Sequence, residues 1–218
     1  MTLRYAAVEA DGKLTADVEV DPRTCECCAT GMAMTATGPV IVYRDRSAEE
    51  IRDISFVRQT AQGWTPPAAV RADGWKIAGC PVNGPQIDAK GNRLAVAWFS
   101  AAEEKPRVYL AFSTDGGASI GNAIIVDDGK PAGRVDVVML DEQSALVTWL
   151  EQTSAGAELR ARRVSAAGTA PSFKVADTTA ARGAGFARIA RHGESVFFAW
   201  TGQTPAGKKI HVARGKFQ

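Results

Sequence analysis

No apolar run in this sequence is long enough to cross a membrane. The longest, PVIVY at 39–43 and SVFFAW at 195–200, are strand-sized, against the roughly 20 residues a membrane helix needs. The opening MTLRYAAVEADGK has no basic segment followed by an apolar one. No signal peptide is visible, and any export signal is expected upstream or already removed. An excess of one charge is lacking too: 26 Lys and Arg face 24 Asp and Glu, interspersed along the chain, for a net charge of +2. Without a basic stripe, nucleic acid is not an expected partner. Histidine is scarce, with His192 and His211 on separate elements and read as structural. A sustained helical period is absent everywhere. With 45% hydrophobic and 23% charged residues, the chain is not depleted in core formers, which excludes disorder.

What is present is a repeat. Trp98, Trp149 and Trp200 stand 51 residues apart, in the similar segments RLAVAWFS, SALVTWLE and SVFFAWTG. PVIVYRD is a fourth copy, with Tyr43 in the aromatic place 55 residues before Trp98. Eleven residues before each aromatic is an apolar residue: Met32, Ile87, Val138 and Ile189. Each belongs to a preceding strand that turns through TATG, DAKGN, DEQS or RHGE. A third strand follows each aromatic (ISFVRQT, RVYLAFST, LRARRVS, KIHVARG), then a fourth (WTPPAAV, NAIIVDD, SFKVAD).

A four-stranded unit repeating near 50 residues predicts an all-β propeller, in which each blade buries its faces against its neighbours. With strands lettered A to D from the channel outward, residues 1–21 supply C and D of one blade. Full blades are expected at 22–72, 73–128 and 129–178, with A to C of a last blade at 179–218. The expectation is a single propeller arc, part of a larger ring. The fixed place of the tryptophans makes them inter-blade core rather than a sugar platform.

Ser113-Thr114-Asp115-Gly116-Gly117-Ala118-Ser119-Ile120 lies after the third strand of the second full blade. It resembles the Asp-box, S-x-D-x-G-x-x-W, of the sialidase-like (BNR repeat) families, with Ile120 in the aromatic place. The chemistry of the box is a closed turn: the carboxylate accepts backbone N–H groups and Gly supplies a positive φ. QTAQGWT and VSAAGTAP are decayed copies. The resemblance sets the box on the face opposite an active site, so Ser113, Asp115 and Gly117 are read as structural. It also implies catalysis by a Tyr nucleophile helped by Glu, an Asp acid/base and three arginines that grip a carboxylate. That set is not recovered. The tyrosines are Tyr5, Tyr43 and Tyr109, none in the C-terminal blade, and the F/Y-R-I-P segment is missing. Arg134 and Arg182 stand at the starts of successive A strands, where substrate arginines would sit; solvated charges or bridges between blades are the other reading.

Thr24-Cys25-Glu26-Cys27-Cys28 and GCPVNGP, with Cys80, hold all four cysteines. Cys25 precedes Tyr43 by 18 residues, and Cys80 precedes Trp98 by the same number. Both therefore begin A strands of neighbouring blades, where D–A loops converge on the channel mouth. If strand A already runs through Cys28, alternation places it on the face of Met32 and Met34, with Cys25 and Cys27 pointing the other way or lying in the loop. Three readings stay open: one of Cys25, Cys27 and Cys28 bridged to Cys80; a thiolate site for copper or zinc, or a redox site; or inert buried thiols.

Asp45, Glu103, Glu104 and Glu151 fall near B–C connections, on the same face as the D–A loops. Such residues supply acid/base groups or cation ligands, or form a solvated rim. Three functions are compatible with these observations. One is an exported binding or scaffold propeller that takes a glycan or protein at the D–A and B–C loop face, with Arg134, Arg182, Asp45 and Glu151 as candidate contacts. Another is an exo-sialidase type glycoside hydrolase completed by residues outside this chain. The last is a cysteine-based copper, zinc or redox module. The resemblance and the cysteines together imply a periplasmic or secreted location.

Overall fold

The computed structural model describes residues 1–204 and 207–217. Strands β1 (Leu3–Tyr5) and β2 (Val18–Asp21) pair alone. The next sheet holds β3 (Gly31–Thr35), β4 (Gly38–Arg44), β5 (Ile54–Thr60), the short β6 (Gly63–Trp64) and β7 (Ala68–Arg71). A third comprises β8 (Gln86–Lys90), β9 (Arg93–Ser100), β10 (Arg107–Ser113) and β11 (Ile124–Ile125). The fourth comprises β12 (Pro131–Met139), β13 (Ser144–Thr153), β14 (Gly156–Ser165), the short β15 (Gly168–Thr169) and β16 (Phe173–Thr178). The fifth comprises β17 (Arg188–His192), β18 (Ser195–Thr204) and β19 (Gly207–Lys216). Every pairing within the sheets is antiparallel. Helix among the described residues is limited to two 3-10 turns, at Ala102–Glu104 and Arg182–Ala184. The sheets are blades of a propeller arc, and no ring closes among the described residues.

Repeat and register coincide in three blades. Ile41, Val96 and Phe198, each two residues before the blade aromatic, pair with Met32, Ile87 and Ile189, whereas Val138 pairs with Leu146, three residues before Trp149. The turns between these strands close on side chains. In one, Thr35 Oγ1 donates to Gly38 O; in another, Asp141 accepts the N–H groups of Gln143 and Ser144.

The core lies between blades. One apolar cluster joins β4 and β5 to β8 and β9 around Trp98; the next joins β9 and β10 to β12 and β13 around Trp149; a third joins β12 and β13 to β17 and β18. Trp98 and Trp149 are fully enclosed, and their indole N–H groups donate to Asp73 and Glu151. Burying each such ring contributes a few kcal/mol once its N–H is satisfied. Carboxylates tie successive inner strands: Asp88 accepts the N–H of Met139, and Asp136 that of Ile189.

Met32 departs from its repeat partners. Ile87 is 8% exposed, but Met32 is 57% exposed. Ile87 packs on Ala33 and Val42 of the preceding blade. On the corresponding side of β3, among the described residues, β1 and β2 cover Ile41, Tyr43 and Val57 and leave Met32 and Met34 open.

Candidate functional site

The D–A and B–C connections gather at one end of the blades, and the cysteines lie there. Thr24 bridges to Asp45, and Cys25 N–H donates to Arg44 O, so residues 24–25 run alongside the end of β4. That pairing turns the Cys25 side chain inward, where it is buried. Cys27 and Cys80 form a disulfide across 53 residues, with Cα atoms 6.0 Å apart. Cys25 and Cys28 are free thiols. The sulfurs of Cys25, Cys27 and Cys28 make a triangle with sides of 3.5, 3.6 and 3.9 Å.

Gly84 lets the two loops meet. A Cβ there would stand 2.0 Å from Ala29 O, closer than any real contact, so no larger residue fits. In the same loop Val82 has φ of +50°, a strained setting for a β-branched residue.

Two buried arginines flank the thiols. Arg44 donates to Asn83 O, Arg52 O and Phe99 O and stacks over Trp75 with its guanidinium carbon 4.8 Å from the ring centroid. Among the described residues no carboxylate lies within 4.0 Å of it. Arg52 donates to Cys25 Sγ at 3.2 Å and to Glu50 at 2.7 Å, while its buried Nε has no partner. Glu50 is held down to about 2 by Arg46 and Arg52. Burial pushes the Cys28 thiol up to about 11, against the pull of Arg44.

Beside the disulfide, a cavity of about 270 Å³ is lined by Cys80, Val82, Asn83, Arg134, Arg182 and Phe186, among others. Arg134, at φ +57°, donates to Gly185 O, Ala180 O and Ala181 O, and its N–H donates to Asn83 Oδ1. It thus ties the start of β12 to the D–A loops of the two flanking blades. Arg182 begins the second 3-10 turn and is exposed at the cavity rim beside half-exposed Phe186.

The acidic candidates are engaged elsewhere. Glu151 is buried and accepts from Trp149 Nε1, Lys130 N and Asp128 N, which closes the turn before β12. Asp45 accepts from Ser55 Oγ and Arg46 N, and burial raises its carboxyl. Glu103 and Glu104 are exposed in the first 3-10 turn. Tyr43 is buried with its hydroxyl on Asp21, Tyr109 stacks on Trp98, and Tyr5 meets Trp64 edge-on. On the opposite face, Ser113 Oγ donates to Asp115, which also accepts the N–H and hydroxyl of Ser119. Gly116 and Gly117 take φ of +68° and +82° in that turn.

Arg44, Arg52, Asn83 and Phe186 were not among the sequence candidates. For Arg44 the repeat held a signal. It follows the blade aromatic, where the other blades have Phe99, Leu150 and Thr201, so a charge stands at a position that is uncharged elsewhere.

No protein-family model and no curated protein matches the sequence. Solved structures do match. The phage phi92 endosialidase superposes with a TM-score of 0.63 at 9% identity, covering 95% of this chain and 39% of that one. For Bacteroides ovatus xyloglucan PUL GH43B the TM-score is 0.56 at 11% identity, covering 89% and 40%. For the Hadza microbial sialidase Hz136 it is 0.51 at 16% identity, covering 85% and 43%. The chain thus spans about two fifths of the length of these proteins. At such identities the likeness establishes architecture alone: the chain has the fold of sialidase-like β-propellers.

Proposed function

We propose that this chain is the binding arc of an exported propeller that takes an anionic glycan at its D–A and B–C loop face. The carrying observation is the rim of the cavity beside Cys80, where exposed Arg182 and half-exposed Phe186 stand next to Arg134 and Asn83. An exposed guanidinium suits a sugar carboxylate or sulfate, and an exposed ring suits the apolar face of a pyranose. Arg134 positions this rim through its three carbonyl contacts, with Arg182 as the principal anion contact. Asp45 and Glu151 shape the loops behind it.

Binding is favoured over hydrolysis because Tyr43 and Tyr109 are committed to the blade core and Glu151 to a turn. A hydrolase would need its nucleophile from outside this chain. The disulfide supports an oxidising, extracytoplasmic setting. Calorimetric titration with sialyllactose and with lactose tests the reading. Sialyllactose is expected to bind, lactose at least ten-fold more weakly, and Arg182→Ala to remove the difference. Equal binding of both sugars, or of neither, overturns it. Release of product from a fluorogenic sialoside would favour the hydrolase instead.

A further inference from the structure

The sulfur triangle has the dimensions of a cation site. Ligands held at about 2.3 Å on the corners of a tetrahedron lie about 3.8 Å apart. The observed separations of 3.5, 3.6 and 3.9 Å bracket that value. Sulfur contact alone would bring thiols equally close, so the charge balance supplies the independent argument.

Three arginines surround the cluster: Arg44, Arg46 and Arg52. Two carboxylates answer them, Glu26 and Glu50. Asp53 acts on Arg44 only from beyond ion-pair reach, and its oxygens accept the N–H groups of Gly74 and Trp75. Arg44 is 2% exposed and meets backbone carbonyls, the Trp75 ring and the Cys28 sulfur rather than a carboxylate, and Arg52 is 4% exposed with an unpartnered Nε, one amino group on Cys25 Sγ and the other on Glu50. A guanidinium does not shed its proton when buried. Arg44 is therefore a buried cation with no carboxylate in ion-pair reach among the described residues, set beside the sulfurs of Cys28 and Cys25. Three thiolates around a divalent cation, or two around a monovalent one, carry a net charge of −1. Soft sulfur donors select copper(I) and zinc among the available ions.

We propose that Cys25, Cys28 and Cys27, the last once its bridge to Cys80 is opened, form a thiolate site for one soft cation of the copper(I) or zinc class. Opening the bridge takes an external dithiol. Its two thiols become a disulfide, and their two electrons and two protons leave Cys27 and Cys80 as thiols. On binding, the three ligand thiols release their protons to solvent. Closing the bridge takes Cys27 out of the site, so the Cys27–Cys80 pair sets its occupancy. This inference does not depend on glycan binding.

The experiment is anaerobic titration of the full chain with copper(I) and, separately, with zinc, each against a chromophoric chelator. Four samples are compared: dithiol-reduced protein, bridged protein, Cys80→Ser, which frees Cys27 without reductant, and the Cys25→Ser, Cys28→Ser double variant. Reduced protein and Cys80→Ser are expected to bind one equivalent of at least one ion, at least 100-fold more tightly than the double variant, with the bridged protein between them. The tighter ion names the cation, and X-ray absorption at its edge should show a sulfur-only shell. If Cys80→Ser does not fold, the reduced wild type, checked by circular dichroism, carries the test alone. The proposal is overturned if reduced protein binds neither ion more tightly than the double variant, or if bridged and reduced protein bind alike.

Discussion

Arg52 donates from Nη1 to Cys25 Sγ at 3.2 Å, across 27 residues of sequence, inside the loop mouth of the arc. The contact joins the B–C connection of a blade to the D–A loop that opens the same blade. Four measurements probe the framework around it.

Arg44 should be structural as well as electrostatic. Arg44→Leu places here the residue that the equivalent site carries at Leu150. It leaves the carbonyls of Asn83, Arg52 and Phe99 without their donor. Leaving buried acceptors unsatisfied costs about 1–3 kcal/mol each, partly offset by the removal of a buried charge. A net loss of about 2–3 kcal/mol is expected in urea unfolding. An unchanged midpoint would show that the cation is dispensable to the fold.

The Cys27–Cys80 bridge closes a loop with a sequence separation of 53. Chain entropy sets the stabilisation for a loop of that size at about 4 kcal/mol, and measured values commonly run about 2–4. Cys80→Ser should lower the urea midpoint correspondingly, and reduction of the wild type should do the same. A variant as stable as the bridged protein would mean that the two loops dock equally well without the bond.

Asp115 should give the Asp-box turn a pH signature. Hydrogen bonds from the Ser119 hydroxyl and amide hold its carboxyl down to about 2. The folded value lies below the unfolded one, near 4, so the stabilisation is complete above about pH 4. It fades as pH falls through about 2. The stability gap between wild type and Asp115→Asn should therefore be widest near neutrality and close towards pH 2. A gap that widens on acidification would contradict the hydrogen-bond assignment.

Glu151 separates a turn-closing role from a ligand-binding one. Glu151→Ala leaves the buried N–H groups of Trp149 and Lys130 without an acceptor, at an expected cost of about 3 kcal/mol. Sialyllactose binding by the folded protein should be unchanged within two-fold. A selective loss of binding at full stability would return Glu151 to the ligand site.

Much of this architecture is legible from one repeat. The aromatic at Tyr43, Trp98, Trp149 and Trp200 marks each second strand, because an inter-blade core needs a large side chain at a fixed height in every blade. Turn residues such as Gly38 and Asp141 mark where the strands reverse. The mouth was less legible. Loops carry no period, so Asn83 and Phe186 look ordinary in sequence. The position of Arg44 was the exception.

By itself the sequence determined the strand order, the register of three of the four inner hairpins and the convergence of Cys25 and Cys80 on neighbouring loops, since all three follow from local patterning repeated at a fixed interval. The tertiary structure decided which cysteine forms the bridge. Cys25 and Cys80 are equivalent by count, yet Cys27 holds Cys80. The backbone bond from Cys25 to Arg44 O turns its sulfur inward to Arg52 and leaves Cys27 facing the loop that Gly84 lets approach. Sidedness of that kind depends on the packing of a neighbouring blade, which no local pattern records.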